Sequence, residues 1–189
     1  MFAVRGAGTA ALANVNEGQL VDVLGPLGRG FTLLEPSSKA IVVGGGIGVP
    51  PMLEVAKHYG RKGTAVLGFR TASAVILEEE FARFGSSLML CTDDGTMGAK
   101  GFVTQALRRR LTEEPAEMIY ACGPRAMLSG VVELARKFSI PCEVSLEERM
   151  GCGVGACLVC ACKAVKNGEE YYAHVCKDGP VFPADEVVW

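Results

Sequence analysis

Short apolar runs and helical periodicities alternate through the middle of the chain. Five apolar runs have the length and composition of buried strands, and they lie at residues 40–43, 64–69, 87–91, 117–122 and 142–145. Four stretches between them have the periodicity of helices, at residues 51–59, 78–84, 101–111 and 125–138. Strands that alternate with helices in this way predict α/β architecture, a doubly wound parallel five-stranded sheet over residues 39–146.

The stretch before this sheet has a different pattern. Residues 1–38 contain two short apolar features, at residues 1–4 and 19–24, and the second is predicted to be a half-buried strand closed by a Gly25-Pro26 turn. So few strands cannot close a barrel or a sandwich. We therefore expect a remnant of a β-barrel domain whose beginning is absent.

A hairpin is predicted near the end of the chain. Two alternating runs flank Asn167-Gly168, which is the strongest short-range signal for a two-residue type I′ turn. If Lys166 faces Glu169, the ladder places Val159 opposite Cys176. We expect a small C-terminal domain over residues 147–189 that contains this hairpin.

Composition restricts the class of protein. The chain has 189 residues, is 49% hydrophobic and carries a formal net charge of -2. It can bury one core and a small satellite domain, and it lacks the basic footprint of a nucleic-acid-binding protein. Glycines and prolines interrupt its longest uncharged apolar run, which argues against a membrane span. With eight cysteines and no recognisable export signal, we expect a cytoplasmic protein.

Four of the cysteines have the spacing of an iron–sulfur site. Cys152, Cys157 and Cys160 form a Cys-x4-Cys-x2-Cys pattern, and the predicted hairpin returns Cys176 to them. This order is that of the four thiolates of a plant-type [2Fe–2S] cluster. Glycines at 153 and 155 suit a loop whose N–H groups point at sulfur and whose φ angles a Cβ atom would forbid.

Two alternatives remain for these cysteines. A structural zinc site usually has two Cys-x2-Cys pairs or a Cys/His mixture, whereas one x4 and one x2 spacing occur here. Disulfides need an oxidising compartment. The remaining cysteines Cys91, Cys142 and Cys162 lie in or beside apolar runs, and we expect them to be small buried hydrophobic side chains.

A glycine-rich turn follows the first predicted strand. It is formed by Gly44, Gly45, Gly46, Ile47 and Gly48, and prolines open the helix after it. Backbone N–H groups and the helix dipole favour a pyrophosphate there, although a tight turn without a ligand can use the same residues. The second strand ends in Phe69-Arg70-Thr71, with no acidic residue at the position typical of dehydrogenases.

A second turn of interest follows the fourth predicted strand. Cys122, Gly123 and Pro124 precede a helix that begins at Arg125. The thiol could touch a nicotinamide at the mouth of the sheet, or it could be an ordinary buried cysteine at the end of a strand. The residues alone leave both interpretations open.

Taken together, these three motifs resemble the ferredoxin reductase family. The segment from Leu146 to Cys160 is similar, within that family, to the electron-transfer subunits of class B dihydroorotate dehydrogenase. The resemblance covers nearly the whole chain and implies a flavin barrel, a nicotinamide domain and a [2Fe–2S] domain in that order. It places the family's flavin-contacting glycine and threonine on Gly8 and Thr9. The family's upstream flavin motif has no counterpart here, so FAD is implied without its full set of contacts.

The resemblance also implies a function. A separate catalytic subunit would oxidise dihydroorotate at its FMN, and electrons would pass through the [2Fe–2S] cluster and FAD to NAD⁺ in pyrimidine biosynthesis. The implied assembly is a heterotetramer with that subunit. The cluster ligands would be Cys152, Cys157, Cys160 and Cys176, and no residue is assigned as a general acid or base.

Two other functions remain open from the sequence. One is an NAD(P)H-dependent ferredoxin or sulfide reductase subunit of the same fold; in that sulfide-reductase relative an aspartate replaces the first cysteine, whereas Cys152 is present here. The other is a zinc-stapled nucleotide-binding module. The sequence does not distinguish NAD from NADP.

Overall fold

The computed structural model describes residues 1–84 and 86–189, and its centre is a mostly parallel sheet. The strands of this sheet are β1 (Ala40–Gly45), β2 (Thr64–Phe69), β3 (Ser87–Thr92), β4 (Ala99–Lys100), β5 (Met118–Cys122), β6 (Cys142–Ser145) and β9 (Val181–Pro183). Their order is β4-β3-β2-β1-β5-β6-β9, and only the β6–β9 pairing is antiparallel. The five predicted strands are confirmed, and short strands that were not predicted extend the sheet at both edges.

Four helices cover the two faces of this sheet. They are α2 (Val49–Tyr59), α3 (Glu78–Arg83), α4 (Val103–Glu113) and α5 (Arg125–Lys137). One core lies between the sheet and α2 with α3, and the other lies between the sheet and α4 with α5. From β1 the sheet extends through β2 and β3 in one direction, and from β5 it extends in the other, so the strand order reverses between β1 and β5. Ligands of doubly wound sheets bind at this point.

The sequence pattern explains why the central strands lie in the middle. All residues of β1 and β5 are buried, as expected of parallel strands covered on both faces. In α5, the buried residues Leu128, Val131, Val132 and Ala135 follow helical spacing, so one stripe packs on the sheet. Burial of each such side chain contributes about 1.5–3 kcal/mol for the larger aliphatics.

The C-terminal residues form the predicted hairpin. Strands β7 (Ala161–Lys166) and β8 (Glu169–His174) pair in the expected register, with Lys166 opposite Glu169. Asn167 and Gly168 have φ values of 55° and 83°, in the left-handed region that a type I′ turn requires. The hairpin shares its core with α4 and α5, and β9 joins the main sheet. The C-terminal residues thus share a core and a sheet with the α/β unit.

The N-terminal stretch differs from the prediction. Residues 19–24 do not form the expected strand, and their larger apolar side chains are exposed. A short helix that was not predicted, α1 (Ala7–Ala13), buries none of its residues. An isolated strand has no partner for its backbone groups, so the alternating pattern alone could not form one here.

Residues 29–34 attach this stretch to the rest of the molecule. The N–H of Thr32 donates to the buried carboxylate of Glu143 at 2.7 Å, and the hydroxyl of Tyr120 donates to the carbonyl of Thr32 at 2.9 Å. Tyr59 and Tyr120 are themselves hydrogen-bonded, at 2.7 Å between their oxygens.

Among the described helices, none is long and apolar enough to cross a membrane.

Candidate functional site

The hairpin brings two of the four predicted ligand cysteines, Cys160 and Cys176, next to each other. The backbone N–H of Val175 donates to the carbonyl of Cys160 at 3.1 Å, and the N–H of Cys176 approaches the Cys160 sulfur at 3.5 Å. The ladder therefore continues past the end of β8 and brings Cys176 next to Cys160, as the predicted register requires. None of the eight cysteines is in a disulfide.

The four cysteines fall into two pairs of neighbours. Cys152 lies near Cys157, and Cys176 lies near Cys160, whose sulfur its N–H approaches. A [2Fe–2S] cluster takes two protein ligands on each iron, so this pairing fits its donor set. Within residues 1–84 and 86–189, no three Cys, His, Asp or Glu side chains are grouped as ligands of a single ion.

The loop between the ligands presents N–H groups to sulfur. The N–H groups of Val154 and Ala156 lie 3.4 and 3.3 Å from the sulfur of Cys152. These contacts, with that of the Cys157 N–H, lower the pKa of Cys152 to about 6, which favours the thiolate that a metal needs. The two glycines at 153 and 155 have φ values of 75° and 81°, so the expected left-handed conformations are confirmed.

Exposure differs between the two pairs of sulfur atoms. Cys157 is exposed and Cys152 is intermediate, whereas Cys160 and Cys176 are buried. Burial raises the pKa of Cys176, and a positively charged partner such as iron would favour its thiolate. One side of the cluster would therefore face the solvent and the other the protein core.

The glycine-rich turn lies at the carboxyl ends of the central strands. Strand β1 continues through Gly44 and Gly45, a short 3₁₀ turn spans Gly46–Gly48, and α2 begins at Val49 with prolines in its first turn. A Cβ atom at Gly48 would stand 2.4 Å from the carbonyl oxygen of Cys122. The turn after β1 is therefore pressed against the turn after β5, and both border the point where the strand order reverses.

The second turn contains the other predicted nucleotide contacts. Cys122 is buried at the end of β5, and burial raises the pKa of its thiol. A Cβ atom at Gly123 would stand 2.6 Å from the terminal methyl of Met127, and one at Gly45 would stand 2.4 Å from its sulfur. Met127 thus bridges the two turns, a contact that no sequence signal indicates because it joins distant segments. These glycines let the two turns pack closely at the point where a doubly wound sheet binds its ligand, and their contact with a dinucleotide pyrophosphate stays a prediction.

The predicted flavin contacts are placed differently. Gly8 and Thr9 lie in α1, and the Thr9 hydroxyl accepts hydrogen bonds from the N–H groups of Arg5 and Gly6 at 2.8 and 3.1 Å. No atom lies within 4 Å of a Cβ atom built on Gly8. The structure therefore forms no flavin cradle around these two residues, and their role stays a prediction.

The other cysteine predictions are confirmed. Cys91, Cys142 and Cys162 are all buried, and burial raises the pKa of each thiol, that of Cys142 to about 12. Such thiols are inert and pack as small hydrophobic groups.

A cleft lies beside the cluster loop. It has a volume of about 670 Å³ and is bordered by Leu27, Glu147, Met150 and the ligand Cys176. The backbone of Arg29 pairs with that of Gly179 and Val181 below the cleft. The predicted ligand Cys176 thus borders this cleft.

Comparison with known proteins agrees with this geometry. The family model of the iron-sulfur cluster binding domain of dihydroorotate dehydrogenase B matches residues 147–188. The family model of the oxidoreductase NAD-binding domain matches residues 42–133. The fold and the two sites thus define an NAD-linked oxidoreductase with an iron–sulfur domain.

Individual relatives narrow the class further. The chain is 50% identical over 193 residues to the dihydroorotate dehydrogenase B (NAD(+)) electron transfer subunit of Bacillus caldolyticus, and 40% identical over 192 residues to that of Desulforamulus reducens. In both cases all of this chain and 73% of the relative are covered. The chain belongs to the family of dihydroorotate dehydrogenase B electron transfer subunits.

A solved structure has the same fold over the whole chain. A structure of NADH-dependent reduced ferredoxin-NADP oxidoreductase, described in work on flavin-based electron bifurcation, superposes with a TM-score of 0.83 at 34% identity. The alignment covers 100% of this chain and 67% of that one. The arrangement of nucleotide sheet and cluster domain is therefore shared with an oxidoreductase of a different named activity.

Proposed function

We propose that this chain carries electrons between a dihydroorotate-oxidising partner and NAD⁺, with Cys152, Cys157, Cys160 and Cys176 as the ligands of a [2Fe–2S] cluster. The observation that carries the proposal is that the hairpin returns the buried Cys176 to the buried Cys160, while Cys157 on the same loop is exposed. A centre held in this way can exchange electrons with a partner on one side and with the interior on the other. The place of the reaction is pyrimidine biosynthesis in the cytoplasm.

The chain's own residues position the cofactors and tune them. When bound, the cluster supplies one-electron transfer, and FAD and NAD supply the two-electron chemistry. The N–H groups of Val154 and Ala156 would stabilise negative charge on the cluster sulfur of Cys152. The turn Gly46–Gly48 and the start of α2 would hold the pyrophosphate, and Cys122 and Gly123 would border the nicotinamide.

The partner is a catalytic FMN-containing subunit. Met150, Val154, Leu158 and Val159 surround the cluster loop, and each is more than half exposed, from 53% to 64%. An exposed apolar rim of this kind marks an interaction surface. A subunit covering this rim would bury it and bring its flavin close to the exposed sulfur pair.

The comparisons also bear on the two alternative functions. The dihydroorotate dehydrogenase B relatives are 50% identical to this chain, against 34% for the ferredoxin-NADP oxidoreductase structure, which favours the former. A zinc-stapled module is disfavoured by the match of residues 147–188 to an iron-sulfur domain.

The test is reconstitution of the full-length protein with its catalytic subunit. We expect NAD⁺ reduction by dihydroorotate only when both subunits are present. This chain would hold the cluster and the nucleotide, and the catalytic subunit would hold dihydroorotate. Dihydroorotate oxidation by this protein alone, or reduction of ferredoxin but not of NAD⁺ by the complex, would contradict the proposal. An absorption spectrum of the anaerobically purified protein distinguishes a cluster from zinc.

A further inference from the structure

Strand β2 is not followed by the acidic residue that usually binds the adenosine ribose of NAD. In dinucleotide-binding sheets this residue lies about 20 residues beyond the glycine turn, at the end of the second strand, where it binds the ribose 2′-hydroxyl. Here that position is held by Arg70 and Thr71. An arginine at this point accommodates the 2′-phosphate of NADP, so strand β2 alone predicts the wrong nucleotide for an NAD-linked relay.

The neighbouring strand places a carboxylate at the same point. Strands β2 and β3 are parallel with Phe69 opposite Thr92, and the N–H of Asp93 donates to the carbonyl of Phe69 at 3.0 Å. The next N–H, that of Asp94, lies 3.4 Å from the carbonyl of Arg70. The chain after β3 therefore continues beside the chain after β2, and Asp94 stands next to Arg70.

A hydrogen-bond chain fixes the position of the Asp94 carboxylate. The N–H of Ala72 donates to the Thr96 hydroxyl at 2.8 Å, and that hydroxyl donates to Oδ1 of Asp94 at 2.7 Å. The N–H of Thr96 donates to the same oxygen at 3.0 Å. Both groups of Thr96 donate to Oδ1, and the Thr92 side chain is a weaker neighbour of the same carboxylate. The carboxylate is thus held by the protein through Oδ1.

The loop that carries Asp94 is held at both ends. Gly95 and Gly101 both donate their N–H groups to the carbonyl of Thr92, at 3.1 and 2.9 Å. The Thr92 hydroxyl donates to the carbonyl of Met97 at 2.7 Å. Hydrogen bonds from Thr96 lower the pKa of Asp94, so its carboxylate is ionised at neutral pH. A fixed, ionised acceptor is suited to a hydroxyl donor and unsuited to a phosphate.

The topology places this carboxylate on the adenosine side. A pyrophosphate at Gly46–Gly48 lies at the strand-order reversal, so the two nucleosides extend over β2 with β3 and over β5 with β6. The side of β5 holds the Cys122 turn proposed for nicotinamide. The adenosine half is left with the ends of β2 and β3.

We infer that Asp94, from the loop after β3, binds the adenosine 2′-hydroxyl and selects nucleotides without a 2′-phosphate. The inference rests on the proposed nucleotide site at Gly46–Gly48 and names the residue that sets its specificity. Arg70 and Lys100, which packs against Gly95, balance the charges of Asp93 and Asp94, so the selection rests on the position of the Asp94 carboxylate, which would repel a phosphate placed at the 2′-oxygen. Asp94 is thereby the specificity-determining residue that strand β2 does not supply.

The experiment compares two probes that lack nicotinamide, so it does not depend on electron transfer. Binding of ADP-ribose and of 2′-phospho-ADP-ribose to the holoprotein is measured by calorimetry. The wild type is expected to prefer ADP-ribose. In Asp94→Asn the ratio of the two dissociation constants should shift towards the phosphorylated probe by roughly tenfold or more, the size expected for one charged hydrogen bond.

Two variants separate a direct contact from other causes. Asp93→Asn removes the same charge one residue away, and it should change the ratio by less than about threefold because that carboxylate is outside the Thr96 network. Thr96→Val removes the hydroxyl bonds to Ala72 and Asp94 but keeps the Thr96 N–H that donates to Asp94 and the carboxylate itself, so it should reduce the preference for ADP-ribose by less than Asp94→Asn does.

The outcomes distinguish this inference from the proposed function. Equal shifts in Asp93→Asn and Asp94→Asn, or a shift in Thr96→Val as large as that in Asp94→Asn, would overturn the role of Asp94. An unchanged ratio in Asp94→Asn, with ADP-ribose still bound, would overturn the inference and leave the nucleotide site standing. Failure of the wild type to bind either probe would overturn both.

Discussion

At the scale of single residues, the eight cysteines divide by environment. Cys142 is packed between strands and its pKa is raised to about 12, whereas N–H groups lower the pKa of Cys152 to about 6. The same side chain is therefore an inert core residue at one position and a ready thiolate at the other. Sequence spacing separates these two cysteines because ligand spacing and apolar flanks are both local features, and the ligand role of Cys152 stays a prediction.

Replacement of the ligand cysteines tests this division. We expect Cys176→Ser to lose the cluster, because a serine hydroxyl at that buried position is a poorer ligand than the thiolate that iron binds. Iron and sulfide content, together with the visible spectrum, measures the loss.

The matched control is Cys142→Ser, which is also buried but lies away from the loop. It should retain two irons and two sulfides per chain, as for a [2Fe–2S] cluster, with a stability loss of about 1–3 kcal/mol from a buried hydroxyl. A full cluster in Cys176→Ser would refute the ligand assignment.

At the scale of elements, turns place the functional groups. The Asn167-Gly168 turn sets the hairpin register, and the register alone returns Cys176 to Cys160. A one-residue slip would turn every side chain to the other face of the hairpin. The turn after β1 acts in a different way, because its glycines let two turns approach closely.

Gly48→Ala tests that close approach. Its φ is -77°, so alanine is conformationally acceptable, but the added Cβ would stand 2.4 Å from the Cys122 carbonyl oxygen. The two turns must separate, and we expect NADH affinity to fall by about tenfold or more, a cost of at least roughly 1.4 kcal/mol. The cluster spectrum should be unchanged. Fluorescence titration with NADH measures the effect.

Gly30→Ala is a suitable control, since no atom lies within 4 Å of its Cβ and its φ is not in the left-handed region. It should bind NADH as the wild type does. Equal affinities for Gly48→Ala and the wild type would show that the two turns need not touch.

At the scale of the whole molecule, the cluster domain and the nucleotide sheet form one packed unit. Strand β9 pairs with β6, and the buried residues Cys160, Val175 and Phe182 belong to the same core as α4 and α5. At its start α5 is also tied to the chain's last residues, since Arg125 donates to the carbonyl of Val188 at 2.7 Å. The position of the cluster relative to the nucleotide site is thereby fixed by a shared core.

The exposed side of this unit is where the partner is expected. Leu158 is 64% exposed and has a φ of 59°, a conformation that aspartate tolerates better than leucine. We expect Leu158→Asp to weaken association with the catalytic subunit by about tenfold or more, because a charge would be desolvated in an apolar contact. The cluster spectrum should survive. Sedimentation velocity of the mixed subunits measures the association.

Phe102→Asp provides the comparison, since Phe102 is 63% exposed but lies before α4 near the opposite edge of the sheet. This variant should associate normally. Loss of association in both variants, or in neither, would place the partner elsewhere.

The sequence by itself determined the five central strands, the hairpin register and the return of Cys176 to Cys160, because each depends on local periodicity, turn chemistry or spacing. It did not predict α1, nor the absence of a strand at residues 19–24. A strand depends on pairing partners, and residues 19–24 have none to pair with among the described residues.

Only the tertiary structure decided which distant groups meet. Met127 bridges the turns after β1 and β5, and Glu143 binds the backbone of Thr32. Asp94 follows β3 in the chain but lies beside Arg70 at the end of β2. These contacts join segments that lie far apart along the chain, and the parallel register sets them. Spacing within the sequence carries no information about them, because the physical cause is the packing of one element against another.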